Sequence, residues 1–266
     1  MSRLQELFKK KNNQVLNVYC TAGFPQPGDT LNVIHSLQEF GADIAEIGMP
    51  YSDPLADGPV IQESSNKAIA NGMTIAKLFE QLKDLRNTIH IPVVLMGYMN
   101  PVMQYGFERF CRDAAEVGVD GFILPDMPMY EYEKNYGAIL KRYQLDLIML
   151  VTPETSEARI RQIDEASSGF LYAVSSSSTT GKSKQLTEQD GYFARLREMN
   201  LKNPVLIGFG IRDRETFEHA CKFANGAIIG TAFIQALQGK ASVEEATREF
   251  LKEVIGDKKQ LSSNIK

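Results

Sequence analysis

The chain has 266 residues, 43% of them hydrophobic, which is enough for one large core and leaves one or two domains open on length alone. A formal net charge of −4, with no long basic run, gives no electrostatic reason to expect nucleic acid. Small anions stay within reach, because backbone amides bind them without net positive charge.

The opening, MSRLQELFKKKNN, is polar and amphipathic. It predicts a helix ahead of the first strand and lacks the apolar stretch of a signal peptide. Short, continuous apolar runs then recur at 15–20, 42–48, 92–97, 120–124, 146–151, 169–174, 203–208 and 226–230. Continuous rather than alternating runs suit parallel strands covered on both faces. Between them lie helical patterns. Residues 29–40 open on an acid and space Leu31, Ile34 and Leu37 about three apart, and 61–70, 74–87, 107–118 and 131–142 follow. The segment 152–169 carries Pro153 near its first turn and Gly169 as a stop, and 188–199, 213–222 and 242–255 complete the series.

Eight strands, each followed by helix, predict an α/β fold: a closed (β/α)8 TIM barrel with an extra N-terminal helix and additional short helices, as one domain over 1–266. An open doubly wound sheet satisfies the same rhythm. Cys20, Cys111 and Cys221 are far apart and odd in number, and His35, His90 and His219 lack metal-site spacing. A reduced, cytoplasmic protein without a metal is the expectation. The apolar runs are too short to span a bilayer.

Active sites of such barrels sit at the C-terminal ends of the strands. The stretch EIGMPYSDPLADGP (46–59) therefore delivers Glu46, at the end of the second strand, and Asp57, just beyond it, to one mouth. Asp53 lies between them. At the other side, three loops look suited to an anion: SSSSTTGKSK (175–184) with Thr180 and Gly181, GFGIRD (208–213) with Gly210, and GTAF (230–233) with Gly230 and Thr231. Loops after strands seven and eight often hold phosphate in barrels. Singly, each glycine also fits an ordinary strand ending.

From NVYCTAGFP (17–25) onward, through EIGMPYSDPLADGPVIQ (46–62), VVLMGYMNPVMQYG (93–106) and LIGFGI (206–211), the chain resembles the alpha-subunit family of tryptophan synthase. The resemblance implies a lyase that cleaves indole-3-glycerol phosphate by a retro-aldol reaction. It implies catalytic roles for Glu46 and Asp57, phosphate contacts at the loop residues named above, and an indole pocket with Tyr19, Tyr98 and Tyr172, the last of which also reads as an inward core residue. Leu95, taken here as a pocket residue, and Leu124 read either as pocket lining or as barrel core. It implies no cofactor in this chain. The expected partner is a beta subunit carrying pyridoxal phosphate, in an alpha2beta2 tetramer. Asp53 matches a position of partner communication, the reading taken here over that of a loop-capping aspartate. The segments 100–106 and 127–130 become candidate partner contacts.

Loop six departs from many relatives in having Ser176 and Ser178, while Thr180–Gly181 is kept. Two other readings stay open. One is a barrel enzyme acting on another sugar phosphate. The other is a non-catalytic activator of a synthase subunit, which would tolerate loss of Glu46 or Asp57.

Overall fold

From the N-terminus, α1 (Arg3–Lys10) precedes β1 (Val15–Thr21), and α2 (Thr30–Phe40) leads to β2 (Ile44–Gly48). Three helices, α3 (Pro59–Ala70), α4 (Ile75–Gln81) and α5 (Leu85–Thr88), separate β2 from β3 (Val93–Met96). Then come α6 (Met99–Tyr105), α7 (Phe107–Glu116) and β4 (Gly121–Ile123). A composite segment follows, made of α8 (Met129–Glu131), a π turn (Tyr132–Tyr136) and α9 (Gly137–Arg142). The rest alternates regularly: β5 (Asp146–Val151), α10 (Glu157–Ala166), β6 (Leu171–Val174), α11 (Gln185–Glu198), β7 (Val205–Gly208), α12 (Arg214–Ala220) and β8 (Gly226–Ile229). Two helices, α13 (Thr231–Leu237) and α14 (Val243–Ile255), end it. The computed structural model describes residues 1–54, 57–175, 185–208, 210–239 and 242–256, with backbone alone for 185–188.

Each strand pairs in parallel with the next, and β8 returns to β1, so the sheet is a closed barrel and not an open one. Closure buries both faces of every strand, which is why all seven residues of β1 are buried and the strand sequences do not alternate. Register sorts the two faces. Tyr19 pairs with Glu46 and Glu46 with Val94, whereas Ile47 pairs with Leu95 and Leu95 with Phe122. The Phe122 ring packs 4.7 Å from that of Phe110 on α7, which makes its face the helix-facing one. Asn17, Tyr19, Ile44, Glu46, Gly48, Val94 and Met96 therefore share the barrel interior.

The helices start where caps allow. Ser2 and Gln5 form a capping box on α1, Thr74 caps α4, and Gly58 followed by Pro59 opens α3. Two expectations need correction. The helix expected from 152 begins at Glu157, because Ser156 accepts from Arg159 N and Pro153 lies in the preceding turn. The single helix expected over 74–87 is two, broken where Leu85 N bonds Leu82 O and both leucines are buried. That bend carries Arg86 to the base of the barrel. There its guanidinium donates to Gly118 O at 2.6 Å and to Asp120 Oδ2 at 2.6 Å, and Arg3 of α1 meets Asp120 Oδ1 at 3.0 Å.

Candidate active site

Glu46 stands near the C-terminal end of β2 with its side chain in the barrel, 1% exposed. Removal from water disfavours the ionised carboxylate. Burial pushes its pKa up to about 8, the field of Asp57 adds to that, and a hydrogen bond from Asn17 works against both. The Asn17 Nδ2 donates to Glu46 Oε2 at 2.5 Å. At neutral pH the group is mostly a carboxylic acid, yet close enough to pH 7 to lose and regain its proton.

Asp57 sits just before α3, where Gln62 Nε2 donates to its backbone carbonyl at 2.7 Å. Burial raises its pKa, while a hydrogen bond from the Tyr98 side chain favours the ionised form. Asp57 is already drawn toward the mouth through that phenol. The Tyr98 ring packs 5.5 Å from Tyr51, whose hydroxyl accepts from Asn100 at 3.0 Å. Loops after β2 and β3 thus brace the second acid together.

Tyr19 and Tyr172 are both buried, at 6% and 5% exposure. Each ring lies over a glycine that ends a neighbouring strand: Tyr19 over Gly48, and Tyr172 over Gly208. A Cβ at either glycine would collide with the ring, so these two positions need glycine for space. Burial raises both phenol pKa values well above the ordinary one, and the fields of Glu46 and Asp57 act on both, so the four groups occupy one mouth. At neutral pH both phenols stay neutral and offer flat apolar faces.

Gly210, with φ of +77°, follows β7 in the left-handed region, and Gly230–Thr231 opens α13 directly after β8. A Cβ at Gly230 would stand 3.5 Å from Tyr19 Cβ, which places this helix start beside the same mouth. Thr180 and Gly181 lie outside the described residues. Asp53 is exposed, accepting from Ser52 Oγ at 2.5 Å, and does not join buried Glu46 and half-buried Asp57. Leu95 requires correction: register turns it to the helix layer with Ile47 and Phe122, and Met96 takes the interior position instead.

The residue that sequence reasoning missed is Asn17. It lies inside NVYCTAGFP, but no motif distinguishes an asparagine within an apolar strand from one at a strand end. A cavity of about 1170 Å³ between α2, α3 and the α13–α14 turn is lined by neither acid, so it lies apart from this chemistry. Among the described residues, no cluster of histidine, cysteine or acidic groups could hold a metal ion.

A closed parallel barrel whose mouth combines a proton-bearing carboxyl, a second acid and flat aromatic walls defines a (β/α)8-barrel enzyme of the acid–base kind. Residues 5–263 match the family model described as tryptophan synthase alpha chain, and this chain belongs to that family. It is 49% identical over 252 residues to the tryptophan synthase alpha chain of Parabacteroides distasonis, covering 94% of this chain and 98% of that protein. The Bacteroides thetaiotaomicron protein of the same name is 47% identical, covering 92% and 96%. The crystal structure of the tryptophan synthase alpha chain from Legionella pneumophila superposes with a TM-score of 0.85 at 33% identity, covering 100% of this chain and 98% of that one. A chain of the tryptophan synthase complex from Pyrococcus furiosus gives 0.82 at 32% identity, covering 92% and 99%.

Proposed function

We propose that this chain cleaves indole-3-glycerol phosphate to indole and glyceraldehyde 3-phosphate, as the alpha subunit of a tryptophan synthase. The observation that carries the reading is Glu46, buried at a strand end with its pKa near 8 beside Asp57 and two tyrosine faces. A scaffold that only activated a partner would have no use for a carboxyl held in its acid form.

The chemistry follows from those groups. Glu46 gives its proton to indole C3, using the ring's enamine electrons and leaving positive charge on N1. Asp57, whose burial raises its pKa while the Tyr98 hydrogen bond favours the carboxylate, accepts the N1–H in its ionised form and stabilises that charge where it develops. The side-chain hydroxyl next to C3 then returns a proton to Glu46 as its carbon becomes the aldehyde. The C3–carbon bond breaks, and its electrons restore the aromatic ring. One proton leaves Glu46 and one comes back, so a pKa near neutrality suits both halves. Tyr19, Tyr172 and Met96 would flank the ring. Gly210, Gly230 and Thr231, with Thr180 and Gly181, would receive the phosphate.

The partner is a beta subunit carrying pyridoxal phosphate, assembled as alpha2beta2. Met103 and Tyr130 support a docking face: both are large, apolar and well exposed, in the segments after β3 and β4. Asp53, exposed in the loop that carries Asp57, would sense that partner, and its exposure supports the role. The whole chain works as one domain in the cytoplasm. Among the described residues no helix is long and apolar enough to cross a membrane.

The test is indole release from indole-3-glycerol phosphate by the purified chain, with and without a beta subunit, for wild type and Glu46→Gln. Slow release that rises with the partner and falls by about 10³-fold in Glu46→Gln is the expected result. Wild-type silence with a competent partner would overturn the reading.

A further inference from the structure

Asn17 is fully buried in β1. Its register neighbours are Ile44 on β2 and Ile228 on β8, both apolar. A primary amide in such a layer is costly unless its polar atoms are satisfied. Here only one is. Nδ2 donates to Glu46 Oε2 at 2.5 Å, while Oδ1 has no hydrogen-bond partner among the described residues. A residue selected for packing alone would be aliphatic and would leave no orphan oxygen. What the amide supplies is its donor.

We propose that Asn17 is a positioning residue for the cleavage, whose amide N–H holds the acidic proton of Glu46 on Oε1, the oxygen left to meet the substrate. The inference rests on Glu46 being the acid of the proposed reaction. An amide N–H can only donate, so Oε2 must present a lone pair to it. A neutral carboxyl has one hydroxyl and one carbonyl oxygen, and the bond to Asn17 makes Oε2 the carbonyl. With the amide reversed, Oδ1 would face Oε2 and draw the proton there, away from indole C3. Tyr19 and Cys20 on β1, Asp57 beyond β2 and Tyr172 on β6 are the titratable groups whose fields reach Glu46. None is a cation. The Asn17 amide is thus the group that lowers the cost of ionising Glu46 in the second half of the cycle.

The test replaces the amide by a near-isosteric aliphatic group, Asn17→Leu, with Asn17→Val as a smaller variant should Leu not be accommodated. Glu46 is titrated through the infrared carbonyl band of its acid form, taken as the difference from Glu46→Gln, and kcat and KM are followed against pH. Loss of one charge-assisted bond should move the Glu46 midpoint up by about one pH unit. Without the anchored proton, kcat should fall roughly tenfold while KM stays within about twofold. A folded variant with an unmoved midpoint and unchanged kcat would reduce Asn17 to packing and overturn the inference. If wild type cleaves nothing, the proposed reaction fails, and the infrared midpoint still decides whether Asn17 governs the Glu46 proton.

Discussion

At residue scale, Glu46 sets chemistry against stability. Its folded pKa is about 8 against an ordinary 4.5, so between those values the folded chain keeps a proton that the unfolded chain has released. The folded state binds more protons, and stability from this group falls as pH rises across that window. A shift of this size corresponds to about 5 kcal/mol. Glu46→Gln cannot ionise, so it should unfold at higher urea than wild type at pH 8.5 and match it near pH 4.5. Equal midpoints at both values would mean that Glu46 is not held protonated. For the proposed cleavage the sign is the same: that mechanism uses the acid form at C3, so wild-type kcat should decline as pH rises through about 8. Gly48 makes a second test. A methyl there meets the Tyr19 ring, which is itself buried beside Glu46. Gly48→Ala should cost about 1–3 kcal/mol in a urea melt, and raise KM by tilting the pocket wall. A melt and KM like those of wild type would show that the ring moves freely.

At the scale of elements, two helices are fastened to the barrel base through one carboxylate. Asp120 takes Arg86 of α5 at 2.6 Å, Arg3 of α1 at 3.0 Å and the Val93 amide at 2.7 Å. Its side chain is 3% exposed, Arg86 is 19% exposed, and Arg3 is 44% exposed. Asp120→Ala strands a largely buried guanidinium and should cost roughly 3 kcal/mol, whereas Arg3→Ala removes a solvated partner and should cost under about 1 kcal/mol. Urea unfolding of both variants checks the ordering, and comparable losses would sink it. This tie is also where sequence reading ran short. The strands were legible because closure buries both faces, which leaves unbroken apolar runs such as VLNVYC and NPVLIG. The break between α4 and α5 was not, because Arg86 bends the chain toward a carboxylate 34 positions away. The same contrast holds in the mouth. Glu46 and Asp57 stood out in a loop rich in proline and glycine. Leu95 was misread because a continuous apolar run does not say which residue faces inward until its register against β2 and β4 is known. Asn17 was missed because its meaning lies in one contact, 29 residues away.

At the scale of the whole molecule, the loops that build the mouth also form an outer rim, where the proposed chemistry and the proposed docking face adjoin. The loop after β2 carries Asp57 inward and Asp53 outward. The segment after β3 carries Tyr98 on the Asp57 side and Met103 in solvent, 49% exposed. Beyond β4, Tyr130 is 64% exposed with Lys134 above its ring at 5.4 Å, and the Tyr136 hydroxyl donates to Met103 sulfur at 3.3 Å, bridging the two segments. A tyrosine this exposed adds little to the fold, but is the kind of side chain that anchors an interface. Tyr130→Ala should therefore leave the urea midpoint of the isolated chain within about 0.5 kcal/mol of wild type. It should weaken binding to a beta subunit by roughly tenfold or more, read by titration calorimetry. Cleavage by the chain alone should be unchanged, and stimulation by the partner should need proportionately more of it. Met103→Ala should act in the same direction. Partner affinity unchanged in both variants would place the interface on another face of the barrel. A melt that drops with affinity would mean instead that Tyr130 holds the α8 segment in place, so that assembly reads the shape of the rim and not the ring itself.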